Sequence, residues 1–260
     1  MKKIGIIGCG TIGRAVIEFI QKKLKNKARI VALCDIDSKK VNGLSRKIKP
    51  RPIICDIESL IKKSDLIIEA AGVNVSERVA RCAVLHKKDV LIMSTGGLLK
   101  KAANLFKKAR AKGCNIYIPS GAICGLDGLV SASAGKIKRV TLTTRKPPRG
   151  LRGASYFKTK DIKNIKKETI IYDGNAEDAI RYFPKNINVA ATLSLSGIGA
   201  KRTSVRIITA PEYKKNIHEV EVEGEFGRLF ARTENTPSRE NPKTSQLAIF
   251  SALSKLKEVI

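Results

Sequence analysis

Between Lys2 and Pro119 short apolar runs alternate with longer stretches in which apolar positions recur at helical spacing. Runs at Ile4–Ile7, Arg29–Leu33, Pro52–Cys55, Leu66–Ala70, Val90–Ser94 and Asn115–Ile118 predict strands, and the gaps between them predict helices. In the first gap, from Thr11 to about Lys25, the residues Ile12, Ala15, Val16, Phe19, Ile20 and Leu24 form one apolar face. Lys22, Lys23 and Lys25 gather at the end of that helix, where cations complement the helix dipole. Strands separated by amphipathic helices imply βαβ units and a parallel sheet.

Beyond Ser120 the pattern changes. The glycine-rich segment from Ser120 to Gly128 opens a region of β-branched alternation. Val140–Arg145, Thr169–Tyr172, Val205–Thr209, His218–Glu223 and Arg228–Thr233 read as strands of a half-exposed sheet. Gly125–Ala134, Asn175–Tyr182 and Ile187–Ser196 read as helices, and so does the segment from about Lys243 to Val259. The expected fold class is α/β: an N-terminal doubly wound parallel sheet over residues 1–119, a second α+β catalytic domain over 120–242, and a C-terminal helix, 243–260, returning to the first domain.

One motif lies where such a sheet binds ligands. Gly8-Cys9-Gly10-Thr11-Ile12-Gly13 follows the first strand directly and opens the first helix. The first glycine can make the tight turn, the second can let backbone approach a pyrophosphate, and the third permits close helix–strand packing. The helix N-terminus, with Thr11 and Ile12 beside the glycines, offers N–H groups and partial positive charge to phosphates. Asp35 ends the second predicted strand, about 20 residues on, where a carboxylate can hold ribose hydroxyls. These residues predict a Rossmann dinucleotide-binding domain. The carboxylate favours NAD over NADP, while Lys39 and Lys40 just beyond it leave a 2′-phosphate possible. Ala70, Ala71 and Gly72, and the later Ser94-Thr95-Gly96-Gly97, end strands with small residues, as cofactor contacts or as plain turns.

Composition narrows the function classes. The chain has 260 residues, 43% of them hydrophobic, which suffices for a full core. No apolar run reaches the roughly 18 residues of a membrane span, so a cytoplasmic protein without a membrane partner is expected. The net charge of +28 raises the question of nucleic acid, but the lysines come in pairs along expected helix faces and aromatics are only 5%. That pattern describes solvated surface rather than a base-stacking groove, and no nucleic-acid partner is expected. Six cysteines at wide intervals, without a C-x-x-C pair, and two histidines argue against a metal site. Most of the cysteines fall in or beside apolar strands, where a free cysteine behaves as a small hydrophobe, and no disulfide is expected.

His86 sits at the basic end of a helix, where a structural role is expected. His218 stands at the entry to a strand of the second domain, a position that suits a proton-transfer group or a structural histidine equally.

Four separated segments carry a resemblance: Ser120-Gly-Ala-Ile-Cys-Gly-Leu-Asp-Gly128, Asn186-Ile-Asn-Val-Ala-Ala-Thr-Leu193, Asn216-Ile-His-Glu219, and Glu234 to Ser245. In this order, behind a matching dinucleotide half, they resemble the L-aspartate dehydrogenase family over essentially the whole chain. The resemblance implies a homodimer that interconverts L-aspartate with oxaloacetate and ammonia through iminoaspartate, a precursor for NAD biosynthesis, using NAD or NADP. It implies that His218 is the catalytic histidine and that Ala122 and Asn188 contact the cofactor. Cys124 stands where the family often has alanine, a small-for-small change. The substrate, a dicarboxylate amino acid, needs cationic partners, for which Arg239 and Lys243 are candidates or else exposed charges. A homoserine or dihydrodipicolinate-type enzyme and a non-catalytic cofactor sensor are the competing expectations.

Overall fold

Six apolar segments of the first half assemble into a parallel sheet: β1 (Lys2–Ile7), β2 (Ala28–Cys34), β3 (Ile53–Ile54), β4 (Leu66–Glu69), β5 (Asp89–Ile92) and β6 (Ile116–Tyr117). They stand in the order β3-β2-β1-β4-β5-β6, every pair parallel. The chain winds outward one way from β1 and then the other way from β4, so the topological switch point lies between these two strands. The central strands carry helices on both faces, which is why Ile4, Ile6, Leu66, Ile67, Ile68 and Leu91 are all buried and read as unbroken apolar runs. The edge strand β3 is only two residues long, shorter than the run Pro52–Cys55 suggests. Proline has no N–H to give a ladder, and edge positions are where it is tolerated.

The helices are α1 (Thr11–Lys23), α2 (Ser38–Ser45), α3 (Ile57–Lys63), α4 (Val73–Leu85) and α5 (Ala102–Ala111). Two of them start on side-chain caps. Asp37 accepts from the Lys40 N–H at 3.0 Å, and Asp56 accepts from those of Glu58 and Ser59 at 2.9 and 3.0 Å.

The second sheet is mixed. It contains β7 (Ile137–Lys146), β8 (Thr169–Asn175), β9 (Thr203–Thr209), β10 (Asn216–Gly224) and β11 (Gly227–Asn235), in the order β11-β10-β7-β9-β8. Only β7 and β9 are parallel neighbours; the other pairs are antiparallel. On one face Val140, Leu142, Val205, Ile207, Val220 and Val222 pack with residues of α6 (Leu126–Ala132), α7 (Ala176–Tyr182) and α8 (Asn188–Ser196). The opposite face carries ion pairs, among them Arg145 and Arg232 on Glu219 and Arg228 on Glu221. This division produces the alternation of apolar and polar residues along the strands.

The structure is a computed structural model and describes residues 1–151, 165–183, 188–241 and 244–260. Ile187, the start of one expected helix, and Lys243, a candidate substrate contact, lie outside the described residues. The chain divides into one unit of Met1–Pro119 with Ile249–Ile260 and another of Ser120–Ala248. The final helix, α9 (Gln246–Val259), places Ala252 and Leu256 in the first unit's core, and Lys2 Nζ donates to the Val259 carbonyl at 2.9 Å. The division thus falls inside α9, several residues after the boundary at 242 drawn from sequence.

All six cysteines are free, but only Cys9 and Cys114 are buried; Cys34, Cys55 and Cys82 are half-buried and Cys124 is exposed. The small-hydrophobe description therefore suits two of the six. Lys87-Lys88 and Lys100-Lys101 lie in connections rather than on helices, whereas Lys22-Lys23, Lys62-Lys63 and Lys107-Lys108 are helical and exposed. Among the described residues no helix is long and apolar enough to cross a membrane, and no group of three His, Cys, Asp or Glu is placed to hold a metal ion.

Candidate active site

In the first unit the glycine loop is shaped by two close approaches. Gly8 has a φ of +97°, and a Cβ there would run into the backbone of Ala70 and Ala71 at the end of β4. A Cβ on Gly13 would overlap the Gly8 carbonyl. The first and third glycines are thus required by the chain's own packing, one against β4 and one for seating α1. Gly10 differs: a Cβ there would meet nothing within 4 Å. Gly10 is also the N-cap of α1 and supplies no side-chain hydrogen bond to the first-turn N–H groups. An open cradle of backbone donors at a helix N-terminus fits the pyrophosphate of a dinucleotide, and the space a side chain would fill is left for it.

Asp35 follows β2 and accepts from the backbone N–H groups of Cys9 at 2.6 Å and Asp37 at 2.8 Å. One carboxylate thus ties the glycine loop to the loop after β2. A carboxylate has about four acceptor positions, so two remain for ribose hydroxyls. The Cys9 thiol inside this loop is pushed up to about 12 by burial, reinforced by Asp35, and is a packing group rather than a nucleophile.

Ala70, Ala71 and Gly72 follow β4 and face the same loop. Ala71 and Gly72 are held by Glu69, a fully buried residue that sequence reading passed over as part of an apolar strand. Its carboxyl accepts from the N–H groups of Ala71 at 2.8 Å, Gly72 at 2.9 Å and Ser94 at 3.0 Å, and from the Ser94 hydroxyl at 2.9 Å. Burial pushes its pKa up, and these donors pull against that rise. Glu69 fixes the ends of β4 and β5 relative to one another. The available signal was an acid inside the otherwise apolar run Leu66–Ala70.

In the second unit the polar centre is His218. The sequence places it at a strand entry, but β10 begins at Asn216 and His218 lies within the strand, only 4% exposed. It pairs with Thr144 on β7 and Thr233 on β11. The Thr144 hydroxyl hydrogen-bonds the ring Nδ1 at 3.0 Å, which fixes the ring's orientation. Burial, and then the charge of Lys146, lower the His218 pKa to about 3. The ring is therefore neutral across the physiological range.

Ala122 comes to the same place. Its carbonyl accepts from the Thr233 hydroxyl at 2.9 Å and from Asn235 Nδ2 at 3.1 Å, so the strand register that sets His218 also sets the loop of Ala122. The Oδ1 atom of Asn235 is buried and has no hydrogen-bond partner in the structure, an acceptor left over at the site. Asn188 is exposed at the first turn of α8, and Arg239 is exposed beyond β11. Cys124 is exposed, as its small side chain in the loop of Gly121–Gly125 allows. The other histidine, His86, is the C-cap of α4, with Nε2 3.9 Å from Glu58, a local structural setting.

Comparison with known proteins agrees across the chain. Residues 127–259 match the family model "Aspartate dehydrogenase, C-terminal", and residues 8–119 match "Homoserine dehydrogenase, NAD binding domain". The L-aspartate dehydrogenase of Methanosarcina barkeri is 45% identical over 100% of this chain and 97% of its own. That of Nitrosopumilus maritimus is 40% identical over 99% of this chain and 96% of its own. Among solved structures, aspartate dehydrogenase from Thermotoga maritima superposes with a TM-score of 0.77 at 25% identity, covering 100% of this chain and 97% of that one. A homoserine dehydrogenase from Thiobacillus denitrificans shares the fold, with a TM-score of 0.65 at 12% identity over 99% of this chain and 73% of its own.

Asp35→Ala is expected to weaken NAD binding more than NADP binding, since the carboxylate both serves the ribose and repels a 2′-phosphate. Titration of each cofactor checks this, and equal losses would remove that role. A second outcome concerns acid stability. With the folded-state pKa near 3 and an unfolded value of 6.5, His218 takes a proton only in the unfolded chain between these limits, so stability falls as pH falls through that window. Denaturant melts of wild type and His218→Gln from pH 7 to 4 should differ in slope by up to about 1.4 kcal/mol per pH unit. Parallel curves would show that His218 titrates normally.

Proposed function

Because the chain belongs to the L-aspartate dehydrogenase family, we propose that it interconverts L-aspartate with iminoaspartate, and thence with oxaloacetate and ammonia, using NAD or NADP. The observation that carries this reading is the buried, neutral His218 held by Thr144 beside Lys146, in a unit that matches the aspartate dehydrogenase model. The bound dinucleotide would supply the acceptor for the hydride that leaves the α-carbon of aspartate.

The residues of the chain divide the remaining work. Gly8, Gly10, Thr11, Ile12 and Gly13 bind the pyrophosphate, Asp35 the ribose, and Ala70, Ala71, Gly72, Ala122 and Asn188 the rest of the cofactor. His218 accepts the proton that the substrate nitrogen loses as the imine forms. Once it has passed that proton on, it takes one from the water that attacks the imine carbon and returns it to the nitrogen of the carbinolamine, so that the C–N bond breaks, ammonia leaves and the carbinol oxygen loses its proton as the carbonyl forms. A base must be unprotonated before it can act, and burial provides that state. The negative charge of the arriving dicarboxylate opposes the field of Lys146 and raises the imidazole's proton affinity toward its working range.

The homoserine reading draws support from the match of residues 8–119 to a homoserine dehydrogenase NAD-binding model, but the solved homoserine enzyme supports only the fold. Purified protein mixed with NAD or NADP and either L-aspartate or homoserine separates the two by the growth of reduced-cofactor absorbance; growth with homoserine alone would overturn the proposal. In the same assay His218→Ala should keep cofactor affinity and lose kcat by roughly 10²-fold or more. A near-wild-type kcat in the folded variant would take His218 out of the mechanism. The homodimer and the cytoplasmic setting that the resemblance implies belong to this proposal as well. Light scattering of the purified chain should give twice the 28.4 kDa chain mass, and a monomeric mass would refute the dimer.

A further inference from the structure

Lys146 is the only buried lysine or arginine among the described residues, at 8% exposure. It lies at the end of β7, just before Pro147 and Pro148, two residues beyond Thr144. Side chains two apart on a strand share a face. Thr144 stands opposite His218, so Lys146 lies on the His218 side of the sheet, diagonally across the β7–β10 pair. Such diagonal neighbours are about 7–8 Å apart at the backbone, within reach of a long side chain. Its position is held from the other side too. Lys146 pairs with Thr209 of β9, whose hydroxyl donates to the Lys146 carbonyl at 2.7 Å.

We propose that Lys146 binds one of the substrate's two carboxylates and so seats the amino group beside His218. This rests on the aspartate dehydrogenase reading. A buried ammonium is costly, and an anion brought within ion-pair distance offsets that cost more effectively in a desolvated site than at the surface. Burial lowers the Lys146 pKa to about 8, which leaves the side chain mostly protonated at neutral pH and able to meet a carboxylate. The geometry suits an α-amino dicarboxylate, in which each carboxylate carbon lies one or two bonds from the carbon bearing nitrogen. A cation and a proton acceptor on one sheet face can then engage a carboxylate and the nitrogen of the same small molecule. Arg239, exposed beyond β11, lacks both the burial and the register with His218.

The test uses the full chain with saturating NADH, and two probes: succinate, which keeps both carboxylates, and succinamate, which has one of them as an amide. Wild type should bind succinate more tightly than succinamate. In Lys146→Met the two should bind alike, with succinate weakened about 10- to 150-fold, the range for a charged hydrogen bond. KM for L-aspartate should rise similarly while NAD affinity holds. Lys146→Arg should recover much of the lost succinate affinity. Should Lys146→Met fail to fold, the ¹³Cε resonance of Lys146 in labelled wild type, assigned through Lys146→Arg, must move with succinate and move less with succinamate. An unchanged KM with a lowered kcat, a retained preference for succinate in the variant, or a stationary resonance would each overturn the proposal. Wild type that binds neither probe and leaves aspartate unoxidised would instead overturn the functional reading beneath it.

Discussion

The pairing of β10 with β7 is the constraint on which the second unit's chemistry depends. It sets His218 opposite Thr144, brings the Thr144 hydroxyl to the ring nitrogen at 3.0 Å, and puts Lys146 on the same face. Side chains alternate with a period of two, so a slip of one residue would carry His218 to the face where Glu219 meets Arg145 and Arg232. Val220 and Val222 resist that slip, because it would move two fully buried residues into solvent. The geometry around His218 is thus held by hydrophobic burial further along the same strand. The β11 pairing extends the arrangement, since Thr233 and Asn235 hold the Ala122 carbonyl.

A comparable logic governs the first unit, with the backbone in place of side chains. Gly8 and Gly13 let the turn after β1 press against β4 and α1, and the turn leads into a helix N-terminus that has no side-chain cap. Two carboxylates brace this loop system. Asp35 joins the glycine loop to the segment after β2, and Glu69 joins the ends of β4 and β5. Loops that contact a ligand need a fixed shape before it arrives, because ordering them on binding would subtract from affinity.

Charge is distributed with the same economy. The chain carries +28, yet among the described residues the only buried Lys, Arg, Asp or Glu are Lys146 and Glu69. The other described lysines and arginines lie at least partly exposed on helices, connections and strands, the polar face of the second sheet included, where water and salt screen them and individual ion pairs are worth little. A broad positive field of this kind draws anions toward the protein, and both a dinucleotide and a dicarboxylate are anions. Selectivity has to come from the few charges held in place, among them Asp35 in the glycine-loop turn and Lys146 beside His218.

Sequence alone determined the doubly wound sheet, the glycine turn and Asp35, because these rest on local periodicity and on residue types with restricted backbone roles. A Cβ would collide at Gly8 and at Gly13, the two close approaches that their spacing after a strand implied, whereas one at Gly10 would meet open space. The strands of the second sheet were legible from alternation, and His218 from its rarity and from the family resemblance. Tertiary structure decided the rest. The burial that makes His218 neutral comes from strands 74 residues apart in sequence, as the Thr144 contact shows. Glu69 looks like an irregularity in an apolar run until the N–H groups of two separate loops converge on it. Lys146 is one of 51 basic residues in the sequence, and nothing in its neighbours distinguishes it. Only the register between β7 and β10, set by the burial of residues elsewhere along those strands, turns it from another lysine into a charge beside the histidine.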